Sequence, residues 1–181
     1  MLRLFIAVDL PPELRPAVIQ LCQGIAGARW TQPEQLHVTL RFLGATPEER
    51  LADLQSRLRQ VRASPFTLAL RRTGVFPPAG GRKPARVLWL GCDPPGPLQE
   101  LKQAIDGVLG PDPEMAQHGF APHLTLARFP TRPRHDLDRY LAEHAAFDGG
   151  QFVVCAFHLY RSTLRPQGAL HEIVESYPLL A

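Results

Sequence analysis

The sequence predicts an α+β fold of two pseudo-symmetric lobes, with mainly antiparallel sheets lining a central cleft and helices on the outside. Three observations carry that expectation. Segments with the two-residue period of strands alternate along the chain with segments at helical spacing, so both element types must share one core. The pattern His-apolar-Thr-Leu occurs twice, as His37-Val38-Thr39-Leu40 and His123-Leu124-Thr125-Leu126, each on a strand followed by a helix-forming stretch. No linker long enough to part independent domains separates the two copies, so residues 1–181 read as one bilobal domain.

The elements follow in order. Residues 2–9 are an apolar run ended by Pro11-Pro12, a buried strand. Residues 12–25 put Leu14, Val18, Leu21, Cys22 and Ile25 at helical spacing behind a Pro start. After a short extended piece at 28–30, residues 36–43 form the first motif strand, closed by Gly44. Thr46-Pro47-Glu48-Glu49 supplies an N-cap, a Pro at N1 and first-turn acids for a helix running to residue 61. Residues 65–72 alternate Phe66, Leu68 and Leu70 with polar or small residues, a strand. A Pro- and Gly-rich loop at 76–84 leads to a strand at 86–92 and a helix at 97–109. A turn-rich passage reaches the second motif strand, 123–129, and a helix at 134–146. Strands at 151–162 and 170–177 close the chain about a turn near Pro166-Gln167-Gly168.

Composition narrows the function. With 45% apolar residues the chain can build a proper core, and its net charge of +3 is mild. Such a field suits an anionic substrate but lacks the charge density of a dedicated nucleic-acid coat. Eighteen of the 20 basic residues are Arg, a bias that reads as genome composition rather than function. Cys22, Cys92 and Cys155 are odd in number and far apart, each in an apolar stretch, so buried structural thiols in a reducing cytoplasm are expected. The N-terminus is too short in apolar length for a signal peptide, and no run reaches membrane-spanning length. There is no G-x-x-x-x-G-K-[ST], so nothing indicates nucleotide-triphosphate hydrolysis.

The repeated motif carries the chemistry. Strand alternation sends His and Thr to one face and the apolar residues to the other. Two such strands facing each other gather two imidazoles around one small space. A cyclic phosphodiester opens when water attacks phosphorus in line and a ribose oxygen departs opposite. That step needs one group to take a proton and another to give one, and histidine suits both jobs near neutral pH. Two threonine hydroxyls can donate to the non-bridging oxygens, where transition-state charge concentrates. His118, His135, His144, His158 and His171 lack metal-ligand spacing and read as structural or exposed, so neither metal nor cofactor is expected. Trp30 reads as buried rather than base-stacking. Arg82 to Arg86, with Arg71 and Arg72, reads equally as a basic lip for RNA or as ordinary solvated surface.

Five segments together resemble a known family. They are Arg3-Leu4-Phe5-Ile6-Ala7-Val8-Asp9-Leu10-Pro11, Leu36-His37-Val38-Thr39-Leu40-Arg41-Phe42-Leu43-Gly44, Val87-Leu88-Trp89-Leu90-Gly91, Phe120-Ala121-Pro122-His123-Leu124-Thr125-Leu126-Ala127-Arg128, and Leu159-Tyr160-Arg161-Ser162. The chain resembles the 2H phosphoesterases, most closely the LigT-like RNA 2′,3′-cyclic phosphodiesterases of the 2′-5′ RNA ligase family. The resemblance implies metal-independent hydrolysis of a 2′,3′-cyclic phosphate at an RNA end, giving a 2′-phosphate. It implies that His37 is the general acid for O3′, that His123 is the general base for water, and that Thr39 and Thr125 hold the phosphate. It also implies that Phe42 packs near the terminal nucleoside and that Arg128 contacts the phosphate. Strict alternation turns Phe42 and Arg128 away from their histidines, so a bulge at the same offset in both strands is required. Arg41 has the cleft-facing parity without any bulge and is an alternative cation. The expected partner is an RNA end, and the expected assembly a monomer. Reverse 2′-5′ ligation, hydrolysis of small nucleoside 2′,3′-cyclic phosphates, and a non-catalytic RNA-binding module stay open as alternatives.

Overall fold

The computed structural model describes residues 1–113, 119–131, 133, 136–165 and 168–180. Strands β1 (Leu2–Asp9), β2 (Arg29–Trp30), β3 (His37–Thr46), β4 (Phe66–Phe76), β5 (Val87–Asp93), β6 (His123–Arg128), β7 (Asp148–Val154), β8 (Ala156–Arg165) and β9 (Gly168–Pro178) form one sheet. Its order is β7-β4-β5-β6-β3-β1-β8-β9, and every pairing is antiparallel. Helices α1 (Arg15–Ile19), α2 (Leu51–Leu58), α3 (Gly96–Leu109) and α4 (Asp136–Glu143) accompany it, with 3₁₀ turns at Pro12–Leu14, Pro33–Gln35 and Glu48–Arg50.

The sheet divides into two four-stranded lobes at its middle. The motif strands β3 and β6 pair there at a single position, Val38 with Leu124. Further along β6 the same edge is taken by β2, through Arg29 with Arg128 and Trp30 with Ala127. The two motif strands therefore touch at one point and diverge on either side. One face of the sheet carries the main core. Leu4, Ile6 and Val8 of β1 and Leu124 and Leu126 of β6 pack there with Leu58 of α2 and Leu98, Leu101 and Ile105 of α3. The opposite face holds a small separate cluster of Phe5, Ala7 and Tyr160, and this is the face of the motif histidines.

The lobes are not successive halves of the chain. Residues 151–162, expected as one strand, form two: β7 at one edge of the sheet and β8 in the other lobe, parted by Cys155 alone. Laid flat, six strand spacings would separate them by about 29 Å, while one intervening residue spans about 7 Å. The sheet must curl strongly for both to hold. Cys155 is exposed at this crossing, unlike Cys92, which is buried, and Cys22, which is partly so. Burial pushes the Cys92 thiol up to about 12 and that of Cys22 up to about 11.

Other boundaries move for local reasons. The first helix shrinks to a 3₁₀ turn and α1, because Gly24 and Gly27 adopt positive φ and the Tyr140 hydroxyl captures the Leu21 carbonyl at 2.6 Å. Gly44, at φ +66°, lets β3 continue to Thr46 instead of ending it, so α2 starts at Leu51. Arg134 and Pro166-Gln167, expected in a helix start and a turn, lie outside the described residues, as do His118 and His135. Among the described residues no helix is long and apolar enough to cross a membrane.

Candidate active site

The pairing of β3 with β6 fixes how the two motifs meet. With Val38 opposite Leu124, one further step in register sets His37 level with Thr125 and Thr39 level with His123. Each histidine thus faces the other motif's threonine, and the two histidines are diagonal neighbours. His37, Thr39, Thr125, Phe42 and Arg128 line a cavity of about 590 Å³. His123 opens into an adjoining hollow of about 140 Å³, and Thr39 and Phe42 wall both spaces. The histidines flank that shared wall rather than lining one undivided chamber.

Two bulges at matching positions turn the remaining residues. In β3 the register with β1 jumps from Ala7↔Thr39 to Ile6↔Arg41, passing over Leu40. In β6 the register with β5 jumps from Trp89↔Thr125 to Leu88↔Ala127, passing over Leu126. Each extra residue reverses parity downstream. Leu40 and Arg41 are consequently buried together, as are Leu126 and Ala127, while Phe42 (51% exposed) and Arg128 come round to the cleft.

The same bulge takes Arg41 away from the position its parity suggested. Its guanidinium is buried against α3, donating to Asp106 Oδ1 at 2.8 Å and to the carbonyls of Gly110 and Pro111 at 2.7 and 3.2 Å. Lys102, 1% exposed, completes this network with Asp106 at 2.6 Å and Asp112 at 2.9 Å. Arg41 is a buried anchor at the C-terminus of α3, where cations complement the helix dipole; it lines the His123 hollow but not the His37 cavity.

Both catalytic candidates are held in the same way. His37 Nδ1 lies 2.7 Å from the Gln35 carbonyl and His123 Nδ1 lies 2.8 Å from the Ala121 carbonyl, two residues back in each case. A carbonyl only accepts, so each Nδ1 carries the hydrogen and each Nε2 is left to exchange a proton. His37 Nε2 meets the Thr39 hydroxyl at 3.1 Å. The ring of His37 rests 4.9 Å from Phe5, and that of His123 lies 5.0 Å from Phe76. Burial is what lowers His37, to about 4, helped by His171 and Arg128 and opposed by the Gln35 carbonyl and Asp9. Burial also lowers His123, with Arg128 adding to it and the Ala121 carbonyl opposing it.

Several residues that shape the site were not singled out from the sequence. Phe5 forms the floor, 5.0 Å from Tyr160, 4.9 Å from His171 and 6.3 Å from Phe42. Tyr160 donates its hydroxyl to Asp9, which pairs across from His37. His171, expected to be structural or exposed, lines the cleft with its ring 5.4 Å from His37. The odd-numbered residues of β1 (Arg3, Phe5, Ala7, Asp9) held the clue, since alternation puts them opposite Leu4, Ile6 and Val8. Of the other histidines, His144 packs 4.4 Å from Tyr140 and His158 bonds Ser176 at 2.8 Å. Trp30 packs against the core beside Tyr140. None of Arg71, Arg72, Arg82, Lys83 and Arg86 lines the large cavity; Arg71 is bridged to Asp93 and Asp148, and Arg86 bonds the Pro130 carbonyl. Among the described residues no group of three or more His, Cys, Asp or Glu converges to hold a metal ion.

Comparison with known proteins gives a consistent result. Residues 9–165 match the family model of the 2′-5′ RNA ligase superfamily. An RNA 2′,3′-cyclic phosphodiesterase of Archaeoglobus fulgidus is 31% identical over 174 residues, covering 94% of this chain and 97% of its own. The protein of that name from Thermus thermophilus is 34% identical, covering 98% of this chain and 90% of its own. Among solved structures, E. coli LigT in its apo form superposes with a TM-score of 0.78 at 26% identity, covering 99% of this chain and 98% of its own. The same protein complexed with 3′-AMP gives 0.75 at 27% identity, with coverage of 99% and 98%.

Proposed function

The chain belongs to the 2′-5′ RNA ligase superfamily, and from that membership we propose that it is an RNA 2′,3′-cyclic phosphodiesterase. It hydrolyses the cyclic phosphate at an RNA end to a 2′-phosphomonoester. The cleft's pair of similarly held imidazoles, each with a threonine of the other motif alongside, is the observation that carries this reading.

In this scheme the cyclic phosphate lies between the motif strands, its non-bridging oxygens taking hydrogen bonds from Thr39 and Thr125 and charge from Arg128. His123 Nε2 removes a proton from water as the new O–P bond forms. The P–O3′ bond breaks on the opposite side, and His37 Nε2 gives its proton to the departing O3′. Burial keeps His37 neutral in the empty cleft near pH 7. The phosphodiester's negative charge favours the imidazolium, so the acid takes up its proton as substrate arrives. Phe42, half exposed at the rim, offers its ring to the terminal nucleoside. The donors are all side chains of this chain, so the scheme needs no metal; a monomer working in the cytoplasm suffices. Ligation through a 2′-5′ bond crosses the same transition state in reverse and is favoured only when two RNA ends are held together against abundant water.

The test is incubation of the purified protein with an RNA ending in a 2′,3′-cyclic phosphate. A 2′-phosphate product is expected, with turnover unaffected by EDTA and lowered by about two to four orders of magnitude in His37→Ala and His123→Ala. Loss of activity on chelation with recovery on adding a divalent ion would overturn the metal-free scheme. RNA binding that survives both substitutions, without turnover by the unaltered protein, would identify a binding module instead.

A further inference from the structure

We propose that the far end of the cleft is a second nucleotide subsite, formed by Arg3, Leu164 and His171, that binds the RNA residue immediately upstream of the cyclic phosphate. This deepens the reading above and rests on it.

Length is the first argument. The cavity that contains His37 also reaches Arg3. The His37 ring rests on Phe5, and Arg3 lies two residues further along the same face of β1. That is about 7 Å at the usual strand rise, beyond the roughly 3.4 Å of rise that one nucleotide of a stacked strand occupies. One cyclic phosphate and its ribose fill only the end near the histidines.

Charge is the second argument. Arg41, Arg59, Arg71 and Arg161 are committed to carboxylates. Arg3 and Arg128 line the same cavity, and neither has a carboxylate partner among the described residues. Arg128 stands beside the motif threonines, so the cyclic phosphate satisfies it. Arg3, exposed at the other end, is left for a second phosphate. In an RNA chain that group is the phosphodiester joining the last two residues.

The hairpin supplies the rest of a nucleotide site. β1 pairs with β8 only from His158 to Arg161, whereas β8 and β9 stay paired to Arg165↔Gly168, so the outer ends of β8 and β9 run on beyond β1 as an overhang. Leu164, 71% exposed, sits on that overhang and lines the cavity, a flat apolar surface for a base where the core has no use for it. His171 lines the same cavity, its ring 5.4 Å from that of His37. Its Nδ1 is buried with no partner. An imidazole N–H can donate to a phosphate or hydroxyl oxygen bound in the cleft. A ribose hydroxyl or phosphate oxygen of the upstream residue is the acceptor that fits.

The experiment compares a diribonucleotide ending in a 2′,3′-cyclic phosphate with the nucleoside 2′,3′-cyclic phosphate of the same terminal base. Both are assayed with the unaltered protein, Arg3→Met and Leu164→Ser; each of these side chains is exposed, so neither change threatens the fold. The unaltered protein is expected to favour the diribonucleotide in kcat/KM. In Arg3→Met that preference falls about tenfold, the scale of one hydrogen bond to a charged group, through KM rather than kcat. The salt dependence of diribonucleotide kcat/KM also flattens by about 0.7 in log–log slope, as for one lost phosphate contact on a single strand. Leu164→Ser lowers the preference by a smaller factor. Equal losses on the two substrates, or a preference unchanged by Arg3→Met, would overturn the subsite. Turnover of neither substrate by the unaltered protein would remove the phosphodiesterase reading itself, and this inference with it.

Discussion

Burial of His37 makes a prediction about stability that needs no substrate. Its imidazole sits on Phe5 with Tyr160 and His171 close by, and its pKa falls from 6.5 to about 4. The unfolded chain, with an ordinary pKa, takes up a proton at this residue before the folded one does. Stability at His37 is therefore full above the unfolded value and is lost as pH falls through the window from 6.5 towards 4. Between pH 7 and about pH 5 the loss is roughly 2 kcal/mol, approaching about 3 kcal/mol near pH 4. Other groups also titrate in that range, so the measurement is a difference. Urea unfolding is followed at both pH values for the unaltered protein and for His37→Gln, which keeps polar atoms for the Gln35 carbonyl and Thr39 but cannot titrate. The variant should lose about 2 kcal/mol less on acidification. Equal losses in the two proteins would mean that His37 is solvated in the folded state, and the account of a desolvated imidazole would fall.

Three further outcomes are expected. Substrate should raise the pKa of His37, so the alkaline limb of kcat should lie at higher pH than the alkaline limb of kcat/KM; coincident limbs would remove the proposed uptake of a proton with substrate. Thr125→Val, which keeps shape but loses the donor, should lower kcat about a hundredfold with the unfolding midpoint unchanged; a change in KM alone would make Thr125 a binding residue only. Arg41→Met should destabilise by about 3 kcal/mol, because Asp106 loses one of its two cations and the Gly110 and Pro111 carbonyls lose their donor; an unaltered unfolding midpoint in urea would show the network to be dispensable.

What the tertiary structure adds to the site is best seen at the bulges. Alternation alone set Phe42 and Arg128 on the core face and Arg41 in the cleft, and it required one shared distortion for the reverse. That distortion is present in both strands, at Leu40 and Leu126. No propensity in either tetrapeptide announces it. An extra residue is accommodated where a neighbouring strand's register permits it, here β1 for one motif and β5 for the other. His171 escaped notice for a related reason: its place beside His37 depends on β9 following β8 past the end of β1, a matter of which strand lies next to which.

The amino-acid order by itself determined the period of nearly every element, the core faces of the strands, and the chemical identity of the repeated His-x-Thr pair. These are local properties, written within a few residues of one another, and they were enough to name a reaction. The curl of the sheet, the crossing at Cys155 that returns the last two strands to the first motif's lobe, and the diagonal meeting of His37 with His123 came only from three dimensions. A two-residue period says which side of a strand is apolar; it carries no information about the strand's neighbour. Partners are chosen by the long-range fit of whole faces around one core, and that choice brings the two distant imidazoles to the same seam.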